Sequence, residues 1–215
     1  MKRFINKLLV GCMLCCPVLL AAEAPAPVKS PAPKDYAACF AAWDNKLDTL
    51  QTYFTQATLY DGMPVSRSKG RIIYTKQGPK LRLDNLENNP LEITQTALTD
   101  KKKIYLLDEK GKEISKISWQ EWIAGQPNQA LFDFGNYTAL LEKHQVSVIK
   151  KNEAHALLQL KPKENNLYML YVTVAADTCF PMMISIESDL MVTTATLEDA
   201  QLNQPIPADI FKGLK

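Results

Sequence analysis

The chain has 215 residues, 47% of them hydrophobic, and a formal net charge of +2. Three of its 25 basic residues, Lys2, Arg3 and Lys7, fall in the first seven positions, so from residue 23 onward 22 Lys and Arg face 23 Asp and Glu. No basic field remains there to hold a nucleic-acid backbone, and no nucleic-acid partner is expected.

Residues 1–22 read as a signal peptide. A basic start is followed by the apolar run Leu8 to Leu20 and the small residues Ala21-Ala22, the order of a cleavable secretory leader. Thirteen apolar residues fall short of the ~20 a membrane-crossing helix needs. The stretch "LVGC", Leu9 to Cys12, carries a second reading, in which Cys12 is lipidated and cleavage near Ala22 does not occur. Removal of the leader leaves 193 of the 215 residues, one domain able to bury roughly 70% of its unfolded surface. Of five cysteines, Cys39 and Cys179 survive; in an oxidising compartment they are either bridged or buried as thiols, and sequence leaves both open.

Residues 23–35, "EAPAPVKSPAPKD", form a Pro/Ala-rich lead with no apolar periodicity, expected to be extended and disordered. From Tyr36 the spacing of Phe40, Trp43, Leu47, Leu50 and Phe54 predicts one helix with an apolar stripe. Strand-like runs follow at Gln56–Tyr60, Arg71–Thr75, Lys80–Asp84, Leu91–Leu98, Lys103–Leu107 and Glu113–Ile117, separated by turns such as Asp61-Gly62 and Gly78-Pro79. With no helix between them, these strands predict an antiparallel meander. Trp119–Ala124 and Asn128–Lys143 are predicted helices, broken at Gly125-Gln126-Pro127.

A second meander closes the chain: Val146–Lys150, Ala156–Leu160, Leu167–Val174, Met182–Glu187 and Met191–Leu197. "LYMLYVTVA" is apolar on both faces, unlike a half-solvated strand, so the sheet is expected to curl, with helices covering its concave side. Met63, Met169, Met182, Met183 and Met191 suit a surface that repacks around variable partners, although packing in an ordinary core explains any one of them. The fold class expected is mainly β, in one domain spanning residues 36–215.

Chemistry-bearing sets are missing. His144 and His155 stand without a carboxylate or cysteine at metal-ligand spacing. No nucleophile elbow, phosphate loop or Cys-x-x-Cys motif occurs. Glu87 and Glu92 sit in turn-rich stretches as solvated charge, and "NYT" at Asn136 falls inside a predicted helix. No enzyme, metal or cofactor is expected.

The order of elements resembles the periplasmic outer-membrane lipoprotein carrier family, LolA, and its LolA-like relatives. The likeness runs from "LDTLQTYFTQATLYDG", a helix ending in Phe-x-Gln, through "GRIIYTKQGPKLRLD" and "LTDKKKIYLLDEKGKEI". It continues in "LLQLKPKENN" and "PMMISIESDLMVTTATLEDAQLNQPIPADIFKG", so it spans nearly the whole mature chain. Lys76, Pro79, Asp100 and Lys102 match family turn positions. Two departures mark a divergent member: Lys76-Gln77-Gly78-Pro79 lacks the family's turn arginine, and Asp100-Lys101-Lys102 replaces Asp-Gly-Lys. The resemblance implies a strongly curved, incomplete antiparallel barrel whose open side is covered by helices. It also implies a periplasmic monomer that takes acylated cargo, lipoprotein or lipid, from an inner-membrane donor complex to an outer-membrane acceptor. A carrier of glycolipid or other lipid for a dedicated exporter and an envelope lipid-sensing or anchored acceptor module are the alternatives. Candidate wall residues of the implied cavity are Leu83, Ile93, Leu106, Met169, Met182 and Met191, under a lid of Trp119, Trp122, Leu131 and Phe134.

Overall fold

The structure, a computed structural model, describes residues 34–87, 92–125, 132–164 and 167–214. The leader, most of the Pro/Ala lead, and Leu131 lie outside the described residues. Asp35 opens the first helix, its Oδ1 accepting the backbone N–H groups of Ala37 and Ala38 at 3.0 and 3.1 Å, which satisfies donors that a helix start leaves free. That helix, α1, covers Tyr36–Lys46 and ends at an extended Leu47. The single helix expected through Phe54 is therefore two elements. From Thr49 the polar residues of "TLQTYFTQATLY" alternate with Leu50 and Phe54, and a four-residue spacing satisfies period two as well as period 3.6.

The strands are β1 (Thr49–Tyr60), β2 (Met63–Thr75), β3 (Lys80–Leu86), β4 (Ile93–Thr99), β5 (Lys103–Asp108) and β6 (Glu113–Ser118). After α2 (Trp119–Gly125) and α3 (Tyr137–Glu142) come β7 (His144–Lys151), β8 (His155–Pro162), β9 (Met169–Ala175), β10 (Pro181–Ser188) and β11 (Met191–Leu202). Of the helix expected over 128–143 only α3 is found within the described residues. Gly135, at φ +81°, breaks it, because that backbone region lies outside a right-handed helix. Asn136 accordingly precedes α3, at its N-cap.

All eleven strands join one antiparallel sheet in the order β6-β5-β4-β3-β2-β1-β11-β10-β9-β8-β7. The two meanders meet where β1 pairs with β11, Phe54 opposite Leu197. β6 and β7 stay at opposite ends, so the barrel is not closed. Eight strand spacings separate β5 from β8 in this order, about 38 Å in a flat sheet. Ile104 of β5 and Leu158 of β8 nevertheless feed one continuous core with Phe40, Leu50 and Val172, so the sheet curls around it. A smaller core of Ile73, Leu98, Tyr105 and Phe211 lies on the opposite, convex face, where the 3-10 turn Ala208–Phe211 covers the sheet.

The β2–β3 hairpin, apolar and charged at once, divides by face. Ile72 and Tyr74 pair with Leu83 and Leu81 toward the main core. Arg71, Arg82 and Asp84 point outward. Asp84, fully buried, accepts from Arg71, Arg82 and Thr96, each at 2.8 Å, and Arg82 also donates to the Ile210 carbonyl at 2.9 Å. The charges thus hold the outer layer in place.

Candidate functional site

The concave face is packed unevenly. Beneath α1 the rings pack closely: Phe40, Trp43, Tyr137 and Phe134 form a ring-on-ring cluster with centroids 5.0 to 6.4 Å apart, and Tyr74 joins Phe134 at 5.9 Å, while a cleft of about 260 Å³ lined by Cys39, Trp43, Leu47 and Leu202 lies beside it. Two polar fastenings hold this cluster down. Asp44 on α1 is fully buried and accepts the N–H groups of Gly135 (2.7 Å) and Tyr137 (2.9 Å). Its pKa is raised by burial, partly offset by those two N–H donors. Lys101, in the β4–β5 turn, pairs with Asp133 at 2.7 Å, donates to the Phe134 carbonyl and lies over the Tyr74 ring. Burial, with the charges of Asp44, Asp133 and Asp48 adding to it, pushes the Tyr74 hydroxyl up to about 12.

Toward the β6 edge the packing loosens. Pairing places Leu83, Ala97 and Leu106 side by side on β3, β4 and β5, and Ile117 beside Ile104. Leu83, Ala97, Leu106 and Ile117 are only half-buried, as are Trp122 and Ile123 on α2 above them. Ser118 and Glu121 cap α2 reciprocally: Glu121 accepts from the Ser118 hydroxyl at 2.8 Å and backbone N–H at 3.1 Å, and its own N–H donates to the Ser118 hydroxyl. Trp119 stacks on Trp122 with centroids 4.9 Å apart. The result is an apolar floor under a short, capped aromatic helix. At its inner end Phe54 lies over Gly70, and Phe132 meets Phe54 edge-on at 5.7 Å.

Of the candidates named from sequence, Leu83, Leu106, Trp119 and Trp122 come together on or beside this floor, and Phe134 falls instead in the ring cluster around α1. Four others do not. Met169 shares a face with Tyr171 and Thr173, whereas Leu170, Val172 and Val174 turn inward; single-residue alternation decides this, and "LYMLYVTVA" was apolar either way. Met182 stands 41% exposed beside a register shift between Pro181 and Met183, and Met191 lies beyond the core at the β10–β11 turn, 46% exposed. Ile93 lines an outer groove of about 490 Å³ with Arg82, Leu107, Lys110 and Lys212, because a register shift between Asn85 and Leu86 moves it off the inner row. Ala97, Ile117, Ile123 and Phe132 were missed, although alternation within β4 and β6 marks the first two.

Lys76 and Pro79 sit in the turn joining β2 to β3, where the Lys76 ammonium reaches the Asn45 carbonyl at the end of α1. Asp100 accepts the N–H groups of Lys102 and Lys103 at 2.9 and 3.0 Å. Both family turns are thus occupied locally. Cys39 on α1 and Cys179 before β10 are joined by a disulfide, Cα atoms 5.9 Å apart. His144 bonds the Leu140 carbonyl and the Tyr168 hydroxyl, and no group of three potential metal ligands occurs among the described residues.

The fold is an open antiparallel half-barrel with an apolar concave face and short helices beside it. Residues 45–213 match the model of the family described as outer membrane lipoprotein carrier protein LolA, and the chain belongs to that family. The solved structures it is similar to are distant. MucB shares 13% identity over 83% of this chain and 62% of that one, with a TM-score of 0.51, so the chain spans less than two thirds of MucB. An uncharacterized conserved protein of Thermus thermophilus shares 6% over 81% and 90%, with a TM-score of 0.52. A LolA superfamily protein of Nitrosomonas europaea shares 12% over 82% and 97%, with a TM-score of 0.49. At these identities the likeness to MucB and to the Thermus thermophilus protein establishes the fold alone. Among curated proteins the sequence has no match.

Proposed function

We propose that the protein is a periplasmic carrier that shields the acyl chains of lipoprotein or lipid cargo between an inner-membrane donor and an outer-membrane acceptor. One observation carries this reading: Leu83, Ala97 and Leu106 form a continuous apolar row across β3, β4 and β5, left half-buried beside α2, with Ile117 half-buried next to Ile104 on the neighbouring row. A row completed by the protein's own side chains would be dry. Each CH₂ taken from water contributes ~0.8 kcal/mol, so an exposed chain of ~16 carbons costs on the order of 12 kcal/mol. Shielding such a chain needs apolar surface and no catalytic group. Loading requires α2 to lift, and within the described residues α2 touches only β5 and β6 closely, whereas α1 is held by Asp44 and the disulfide. Family membership supports the carrier role, and the disulfide fits an oxidising compartment.

A charge-insertion pair tests it. Leu83→Glu places a carboxylate on the floor, and Met169→Glu places one on the opposite face. The protein purified from its own periplasm should lose co-purifying lipid, by mass spectrometry, in the first variant and keep it in the second. Retention of lipid by a folded Leu83→Glu protein rejects the assignment.

A further inference from the structure

We propose that the outer rim of the concave face is a head-group subsite selective for uncharged, hydrogen-bonding heads, and that it excludes phosphate-bearing ones. This deepens the carrier reading and rests on it.

The apolar rows stop abruptly along each strand. One step beyond Leu83 and Ala97 on the same face, the register brings Asn85 opposite Gln95, and the Asn85 amide donates to the Gln95 carbonyl oxygen at 3.3 Å. One step beyond Phe54 and Gly70 it brings Gln56 opposite Ser68. A step further, Thr58 lies between Ser66 on β2 and Thr193 on β11, bonded to the Thr193 hydroxyl at 3.1 Å. Asn85, Gln95, Gln56, Ser68, Thr58, Ser66 and Thr193 each carry an amide or a hydroxyl, able both to donate and to accept.

The same strands carry cations, but on the other side. Arg67, Lys69 and Arg71 alternate with Ser66, Ser68 and Gly70, and so face outward, where Arg71 is spent on Asp84. On β1 to β5, among the described residues, the one charge that the register sets beside these rows is Asp108, opposite Gln95, and it also lines the outer groove. It is an anion, engaged with the backbone N–H groups of Lys110 and Lys112. A phosphate moved here leaves water without gaining a cation, and burial of an unpaired charge is strongly opposed. A glycosyl or glyceryl-peptide head trades its bonds to water for bonds to Asn85, Gln95, Gln56 and Ser68. Phe54 and Phe132 mark the border between the two regions, so tails would lie on the Leu83 floor and the head on the rim.

The test uses the mature protein, delipidated, with a fluorescent acyl probe bound. Three competitors of equal chain length displace it: a monogalactosyl diacylglycerol, a diacylglyceryl-cysteinyl peptide with no net charge, and a phosphatidylglycerol. Both neutral lipids are expected to compete at least tenfold better than the phosphatidylglycerol, and the stronger of the two identifies sugar or peptide as the head. The Gln56→Leu/Asn85→Leu variant should lose that preference while keeping probe affinity, and Ser68→Lys, at a half-buried rim position, should shift it toward the anionic lipid. Equal or better competition by phosphatidylglycerol overturns the inference and leaves the carrier reading standing. So does a preference unchanged in both variants. Failure of the probe to bind, or of every lipid to displace it, overturns the carrier reading and the inference with it.

Discussion

Asp44 carries an ionisable group into the most tightly packed part of the molecule, fully buried, with two backbone N–H groups as its partners. Burial raises its pKa above the ordinary 3.8, and the two N–H bonds offset only part of that. Between 3.8 and the raised value the folded protein therefore holds more protons than the unfolded chain. Stability from this group rises as pH falls through that window and declines as pH climbs back through it. An asparagine at this position cannot titrate and keeps only one acceptor oxygen. We expect Asp44→Asn to cost about 1–3 kcal/mol and its deficit against the wild type to widen as pH is lowered from 7 toward 4, by thermal melts across pH. A deficit that narrows on acidification contradicts the burial account. Asp44 is an acid in an apolar helix face; nothing in "AAWDNK" shows that it reaches Gly135 and Tyr137, more than ninety positions away.

At the scale of elements, the β1–β2 pair shows how a single glycine shapes the site. Gly70 lies opposite Phe54 in the register, and a Cβ there would run into the Phe54 ring and the Asp84 carbonyl. Its φ is ordinary, so the requirement is for space and not for conformation. Gly70→Ala should cost about 1–3 kcal/mol by overpacking and displace Phe54 from the border of the apolar floor. Urea melts measure the first effect and weakened probe affinity the second. The hairpin itself was legible from "IIYTKQGPKLRLD", because turn chemistry and alternating charge are local signals. Its helical neighbour was not. α1 ends at Lys46 because the strand after it completes pairing on both sides with β2 and β11, a gain that no local propensity reports.

For the whole molecule, the Cys39–Cys179 bridge ties α1 to the β9–β10 connection across 140 positions. In the chain-entropy model a loop of that length contributes up to about 5 kcal/mol. The Cys39→Ser/Cys179→Ser protein should lose a comparable amount in denaturant melts, and reduction of the wild type should reproduce most of it. A loss below about 1 kcal/mol would show that the Asp44 fastening and the ring cluster suffice to seat α1.

The sequence by itself determined the antiparallel strand succession, the curled sheet and the family, because these depend on local turn chemistry, on alternation and on the order of motifs along the chain. Tertiary structure alone decided which face of each strand is inside. In β9 both faces are apolar, so only pairing with β8 and β10 turns Leu170 inward and Met169 outward. It also decided that part of the concave face is packed by aromatic rings and part is left half-buried, since that depends on how α1, α3 and Phe132 fall across strands far apart in the chain. Side-chain direction has a period of two residues, and a single shifted pair, as at Asn85/Leu86, reverses it beyond the reach of any local pattern.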